Sequence, residues 1–336
     1  MPFVHFVLSL CLLFSIAQAE PLKVALLPIP DALPFHVAEN QGYFKAAGLA
    51  VKAIPVASAL ERDQLMQAGR IHGMINEMAG TANFNRDTPR MQILQIARRP
   101  MGDFPLFRVL ARPGSDKKEL KDLEGTAIGV SRHTIIEYLT DRMLGHAGVQ
   151  NVEIRSVPAI SERFQLLMQG RLEAAVMPDP LAFSAIQQGA GEIANDLEAS
   201  FYSASVLSFD IRIVRDEKER ISAFLKAWNR AARDINENPE AFRRIFIEKV
   251  RMPPEVQQIF PIPAFPVAEV PSPAQWQDMM DWMVTKGLLS TPLAYADNIS
   301  DLNPSGFLSS ASKAQETDQG LKQSQDSSSA GEHVRP

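Results

Sequence analysis

The sequence predicts an α/β protein made of two similar lobes, joined by a two-stranded hinge and separated by a ligand cleft. Three observations predict it. The stretch 64–75, centred on Gly69-Arg70-Ile71, returns at 165–176 around Gly170-Arg171-Leu172, with like residues on either side. A period of about a hundred residues is far beyond the ~20–50 residues of solenoid units, so a whole lobe is duplicated. Each copy also alternates strand and helix: an apolar strand (24–27, then 127–130) runs into a helix, turns at Gly48 or Gly148 and enters a second strand. Finally, 336 residues exceed the roughly 250–300 residues that one core usually holds.

The first lobe opens with a strand over 22–27 and a loop carrying Pro28, Pro30 and Pro34. A helix follows over 34–47, because proline suits the first turn, where its missing N–H has no partner to lose. Strand 51–56, helix 60–68 and strand 73–75 come next, then a helical stretch opening at 76–80 and a strand over 91–97. A strand at 107–111 leads into the turn Arg112-Pro113-Gly114-Ser115. The second lobe repeats the order: strand 127–130, helix 135–145, strand 152–157, helix 161–169, strand 174–176 and helix 181–188. An apolar, β-branched run at 206–214 reads as the returning strand. Two crossings make a hinge, with lobe 1 expected over 20–110 and 207–303 and lobe 2 over 111–206. A helix over 219–236 places Ile221, Phe224, Leu225, Trp228, Ala231, Ala232 and Ile235 on one face, so Trp228 reads as packing. Helices over 241–249 and 274–286 are expected to complete lobe 1.

The termini read differently. An apolar run over 7–16 followed by Ala17-Gln18-Ala19 reads as a secretory signal cleaved after Ala19, which places the mature chain in the periplasm. The single cysteine, Cys11, lies inside that run and leaves with it, so no thiol, disulfide or lipid-attachment chemistry is expected in the mature protein. The tail 304–336, rich in Ser, Gln, Lys, Glu and Asp, has too few apolar residues to offset ordering entropy and reads as disordered. A hydrophobic content of 46%, a charged content of 22% and a net charge of −5 are ordinary for a globular protein. The basic pairs Arg98-Arg99 and Arg243-Arg244 stand in mixed-charge sequence, which argues against nucleic acid as partner.

In open α/β sheets, ligands bind beyond the carboxyl ends of the strands. That rule selects Asp31 and Phe35 in lobe 1, with Asn76 and Glu77 after its third strand, and in lobe 2 Ser131, His133 and Thr134, with Asp179 beyond the third strand. Thr134 and Glu137 have the spacing of a capping box, which fixes a helix start whose free amides could hold an anion. The alternative is a well-capped helix with a solvated histidine. Arg98 or Arg99 could clamp an anion with its forked guanidinium, or lie on the surface as arginines usually do. Asp31, Glu77 and Asp179 would argue for a cationic or zwitterionic ligand if they face the cleft together. Neither the histidine spacing nor any Gly-rich loop or Gly-x-Ser-x-Gly elbow marks a metal, phosphate or nucleophile site, so neither cofactor nor catalysis is expected.

The mature chain resembles the periplasmic solute-binding proteins of the nitrate/sulfonate/taurine type, a group related to thiamine-precursor synthases. The residues that carry the likeness are Glu39-Asn40-Gln41-Gly42-Tyr43-Phe44 with Ala47-Gly48-Leu49, Asp122-Leu123-Glu124-Gly125, Gly170-Arg171-Leu172-Glu173-Ala174-Ala175-Val176, and Phe224-Leu225-Lys226-Ala227-Trp228 with Asn236-Glu237-Asn238-Pro239. The resemblance implies the type II topology of these binding proteins. It further implies a monomer that captures a small anionic or aromatic solute by hinge closure and delivers it to an ABC-type permease and its ATPase. By position it adds Phe209 and Asp210 to the expected ligand contacts. Two other readings remain open at this point: an enzyme of thiamine-precursor or menaquinone biosynthesis on the same fold, and an exported ligand sensor.

Overall fold

The computed structural model describes residues 20–302. The expected signal 1–19 and the expected tail 304–336 both lie outside the described residues.

Ten strands form two five-stranded sheets. They are β1 Leu22–Leu26, β2 Val51–Pro55, β3 Gly73–Glu77, β4 Met91–Arg98, β5 Phe107–Ala111, β6 Ala127–Val130, β7 Glu153–Ser156, β8 Ala174–Pro178, β9 Gly191–Asn195 and β10 Ser205–Asp210. The first sheet has the order β2-β1-β3-β10-β4 and the second β7-β6-β8-β5-β9. In each sheet three parallel strands are followed by one antiparallel strand, β10 or β5, that the chain contributes as it crosses between lobes. The duplication read from 64–75 and 165–176 is therefore a duplication of pairing: Ala25 lies opposite Met74 as Gly129 lies opposite Ala175.

The crossings fall outside the expected boundaries. A boundary at 110/111 cuts through β5, whose partners β8 and β9 put it in the second sheet, and one at 206/207 cuts through β10, whose partners β3 and β4 put it in the first. The chain crosses over 99–106 and returns over 196–204. The returning strand is also shorter than the expected 206–214. It stops at Asp210, whose carboxylate accepts from the Arg212 N–H at 2.8 Å and starts a helix over Ile211–Asp216. The expected helix 34–47 is two helices, Leu33–Asn40 and Tyr43–Ala46, because Gly42 between them has φ +71°. Strand β9 had no counterpart in the sequence reading.

Apolar residues on one face of each element bury to make the cores. Phe35, Phe44, Phe209, Phe224 and Trp228 pack together in the first lobe, on the face covered by the helix Lys218–Glu237. The second sheet is covered on one face by the helix Ile135–His146 and on the other by Ile160–Met168 and Leu181–Gln187. The helix Pro273–Thr285 does more than complete lobe 1. Its Trp276, Met279, Met280 and Met283 join Met78, Ala79 and Ala82 of lobe 1 and Tyr138, Leu139 and Met143 of lobe 2 in one apolar cluster.

Candidate functional site

The carboxyl ends of β1, β3 and β4 face those of β6, β8 and β9, and the amino ends of the antiparallel strands β5 and β10 lie at the same level. Seven of the ten expected site residues are at this level. Phe35 is not; it is fully buried and packs its ring against Phe44 and Phe224, with centroids 5.2 and 6.3 Å away. Phe209 and Asp210 end a strand that runs antiparallel to β3, so they sit at the opposite end of the sheet, Phe209 opposite Gly73. The Phe209 ring fills the space above Gly73, where a Cβ would stand only 2.4 Å from it. Asp210 instead borders a surface hollow of about 370 Å³ with Arg90, Arg212 and Arg215.

Two polar assemblies occupy the space between the lobes. The first is built on the helix Ile135–His146. The Thr134 hydroxyl accepts from the Ile136 N–H at 3.2 Å and donates to the Ser131 carbonyl at 2.8 Å. Glu137 reaches back to the His133 N–H at 2.6 Å, one residue short of the N-cap that a capping box requires, and His133 takes a left-handed φ of 61° to present it. The Ile135 N–H is held from the other lobe: it donates to the Glu77 carboxylate at 2.9 Å. The His133, Ile135 and Ile136 amides are thus engaged, and lobe 1 itself supplies a carboxylate to lobe 2. Burial pushes the Glu77 carboxyl up from its usual range, while the positive charge of Arg62 and the Ile135 N–H pull it back. Asn76, one residue earlier, turns inward; its amide meets Thr81 at 3.1 Å and accepts from Ser208 at 2.8 Å, and it is nearly fully buried.

The second assembly lies beside the crossings. Arg98, the last residue of β4, is 2% exposed. Its Nη2 donates to the Pro105 carbonyl at 2.8 Å and its Nη1 stands 3.4 Å from Asp31, a long contact, while its Nε has no hydrogen-bond partner among the described residues. Asp179, at the carboxyl end of β8, is held by Nε and Nη2 of Arg108 at 3.0–3.1 Å and by the Phe183 N–H at 3.0 Å. Burial pushes the Asp179 carboxyl up; Arg108, and more weakly Arg98, oppose this. Asp196 is fully buried and accepts from the N–H groups of Leu106 and Phe107 at 2.9 and 3.2 Å and from the Ser203 hydroxyl at 2.5 Å. One carboxylate therefore ties both crossing segments. Sequence reasoning missed Arg108 and Asp196, since neither stands in a motif and only the strand pairing brings them to the site.

Asp31, Glu77 and Asp179 reach the cleft, but each already faces a donor: Arg98, the Ile135 N–H and Arg108. Among the described residues no three His, Cys, Asp or Glu side chains converge as a metal would require.

Two five-stranded sheets of equivalent order, opposed across a gap and joined by two crossings, define the two-lobed type II periplasmic-binding-protein fold. The chain belongs to the NMT1/THI5-like family, whose sequence profile matches residues 29–242. No curated protein matches the sequence. Solved structures share the fold. The periplasmic aliphatic sulphonate binding protein SsuA from Escherichia coli superposes with a TM-score of 0.70 at 14% identity, over 84% of this chain and 92% of that one. The alkanesulfonate-binding protein SsuA from Xanthomonas axonopodis pv. citri, bound to MOPS, gives 0.66 at 15% identity, over 84% and 99%. The desulfurization enzyme DSZB gives 0.59 at 16% identity, over 88% and 99%. The fold thus serves binding proteins and an enzyme alike, and it does not choose between them.

Proposed function

We propose that this chain is an exported solute-binding protein that captures a small anion between its lobes by hinge closure and delivers it to an ABC-type importer. The observation that carries the reading is the seat of Glu77: a carboxylate of one lobe rests on the first N–H of a helix of the other, 2.9 Å away. The gap already seats a carboxylate on the helix N-terminus of the opposite lobe, the kind of contact that would hold an anionic cargo. The buried Arg98, with an N–H to spare, adds positive charge at the same level. Export rests on the sequence 1–19, and delivery to an importer on the family and on what its structural relatives bind. Membrane anchorage within 20–302 has no support, as no described helix is long and apolar enough to cross a bilayer.

Binding rather than catalysis is favoured by the side chains present. The described residues contain no cysteine, and their carboxylates at the cleft are engaged with donors. A thermal-shift screen against sulfonates, nitrate, aromatic carboxylates, pyrimidines and amino acids tests the reading. A ligand at a hundred times its dissociation constant adds roughly 2.7 kcal/mol, an upward shift of a few degrees for a chain of this size. Stabilisation confined to anions is the expected outcome; stabilisation by amines alone would overturn the anionic reading.

A further inference from the structure

Four arginines in this chain use one edge of the guanidinium, Nε with Nη2, to grip a carboxylate. Arg99 grips Glu269 this way at 2.7 and 3.0 Å, Arg108 grips Asp179, Arg212 grips Asp210 and Arg243 grips Glu240. Arg163 grips no carboxylate at all among the described residues. It is fully buried, its Nη1 donates to the Val157 carbonyl at 2.6 Å, and both Nε and Nη2 have no hydrogen-bond partner among the described residues. Buried donors left unmatched are costly, and a buried cation without a counter-charge is more so.

The duplication shows where this edge lies. Arg62 and Arg163 hold the same place, two residues before each copy of the repeat. Arg62 has what Arg163 lacks: its Nε meets Asp63 at 2.8 Å, its Nη1 meets the Ile75 carbonyl at 3.1 Å, and its charge is felt by Glu77. In lobe 2 the positions of Asp63 and Glu77 are taken by Phe164 and Pro178, so the carboxylates are gone while the cation is kept. The Val157 carbonyl that anchors Arg163 follows β7, and the Val157 N–H donates to Val130, the last residue of β6, at 2.8 Å. The guanidinium therefore stands at the carboxyl ends of β6 and β7, the level of the cleft. Gly129 makes room for it: a Cβ there would stand 3.4 Å from Arg163 Cγ and 2.7 Å from Leu172 Cδ1, whereas lobe 1 has Ala25 at the matching position. Burial alone pulls the guanidinium down, to about 10, with no carboxylate nearby to offset it, and it remains charged at neutral pH.

We propose that Arg163 is the second lobe's seat for the oxyanion of the solute, its Nε and Nη2 gripping two oxygens of a carboxylate or sulfonate as Arg99 grips Glu269 and Arg108 grips Asp179. This deepens the binding-protein reading and rests on it. The edge is buried, so an oxyanion reaches it only when the residues that cover the guanidinium move aside.

Calorimetric and thermal-shift titrations of the full chain with methanesulfonate, acetate and benzoate, with chloride as control, test the assignment in wild type, Arg163→Lys and Arg163→Met. Wild type should respond to at least one oxyanion. Arg163→Lys keeps the charge but loses the fork, and its affinity should fall about 10- to 100-fold, the loss expected of charge-assisted hydrogen bonds. Arg163→Met should lose the response, yet unfold no lower than wild type in oxyanion-free buffer, because it removes a buried uncompensated charge. Should Arg163→Met fail to fold, Arg163→Lys decides alone. Affinity within twofold of wild type in Arg163→Lys would overturn the seat and leave the binding-protein reading intact. A wild type that answers to amines and to no oxyanion would overturn both.

Discussion

Asp196 concentrates the hinge in one side chain. Its carboxylate takes the N–H groups that open β5 and the hydroxyl of Ser203 in the returning segment, so any change in the angle between the lobes must work around it. Burial pushes this carboxyl up to about 6, against the hydrogen bonds of Ser203, Leu106 and Phe107 and the charge of Arg98. A carboxyl raised in the folded state binds its proton more tightly there than in the unfolded chain. The stability it contributes is present below its ordinary value of 3.8 and is lost as the pH rises through 6. The loss is on the order of 2–3 kcal/mol over that window. Thermal unfolding of wild type and Asp196→Asn between pH 4 and 7 checks it: the advantage of wild type should shrink as the pH rises, and parallel curves would show that the carboxyl ionises alike in both states.

Among the elements, the helix Ile135–His146 shows how far the sequence could be read. Thr134 was legible as its N-cap because a hydroxyl at that spacing satisfies an orphan amide, and the cap is there. What could not be read was the identity of the anion at its N-terminus, because Glu77 arrives from 58 residues away through the pairing of another sheet. Glu77 is a competitor for any anionic solute that approaches the same amide. Glu77→Gln removes the charge and keeps the shape, and should raise the affinity for such a solute about two- to tenfold, the range of a charge at a helix N-terminus. Equal affinity in titrations of wild type and variant would show that the solute leaves this amide to Glu77. The same limit explains the errors elsewhere. Ile211, Ile213 and Val214 are β-branched and read as strand, but the Asp210 cap turns them into a helix. Strand β9 begins Gly191-Glu192, exposed at the edge of its sheet, and offers no apolar alternation to find. Repeats, turns and buried faces are local signals; the pairing that places Arg108, Asp196 and Arg163 is not.

For the whole molecule, the question is what holds the lobes together and how firmly. On one flank the helix Pro273–Thr285 stands against the helix Ile135–His146: Asp278 accepts from the Tyr138 hydroxyl at 2.7 Å and from Arg142 at 2.8 Å, and Asp141 accepts from Trp282 at 2.8 Å and from Lys286 at 2.7 Å. On the other, Glu255 accepts from Ser184 at 2.9 Å and Gln188 at 3.1 Å, beside an edge-to-face pair of Phe183 and Phe260. The ion pairs of the first flank are about 30% exposed, and such pairs contribute only about 0.2–1 kcal/mol each. These polar contacts add only a small margin to the apolar cluster shared on the first flank, so on the proposed binding reading they can be remade as the lobes open and close. Asp278→Ala combined with Asp141→Ala removes the polar contacts of one flank without replacing a residue of either polar assembly of the cleft. The ligand-free double variant should scatter X-rays as a more expanded particle than wild type. Its solute affinity should fall about 3- to 10-fold, because binding energy must then supply the closure that the seam supplies in wild type. An unchanged radius with unchanged affinity would mean that the apolar cluster shared by Trp276, Met279, Met280, Tyr138 and Met78 fixes the lobes by itself, and that solute exchange needs a motion smaller than hinge opening.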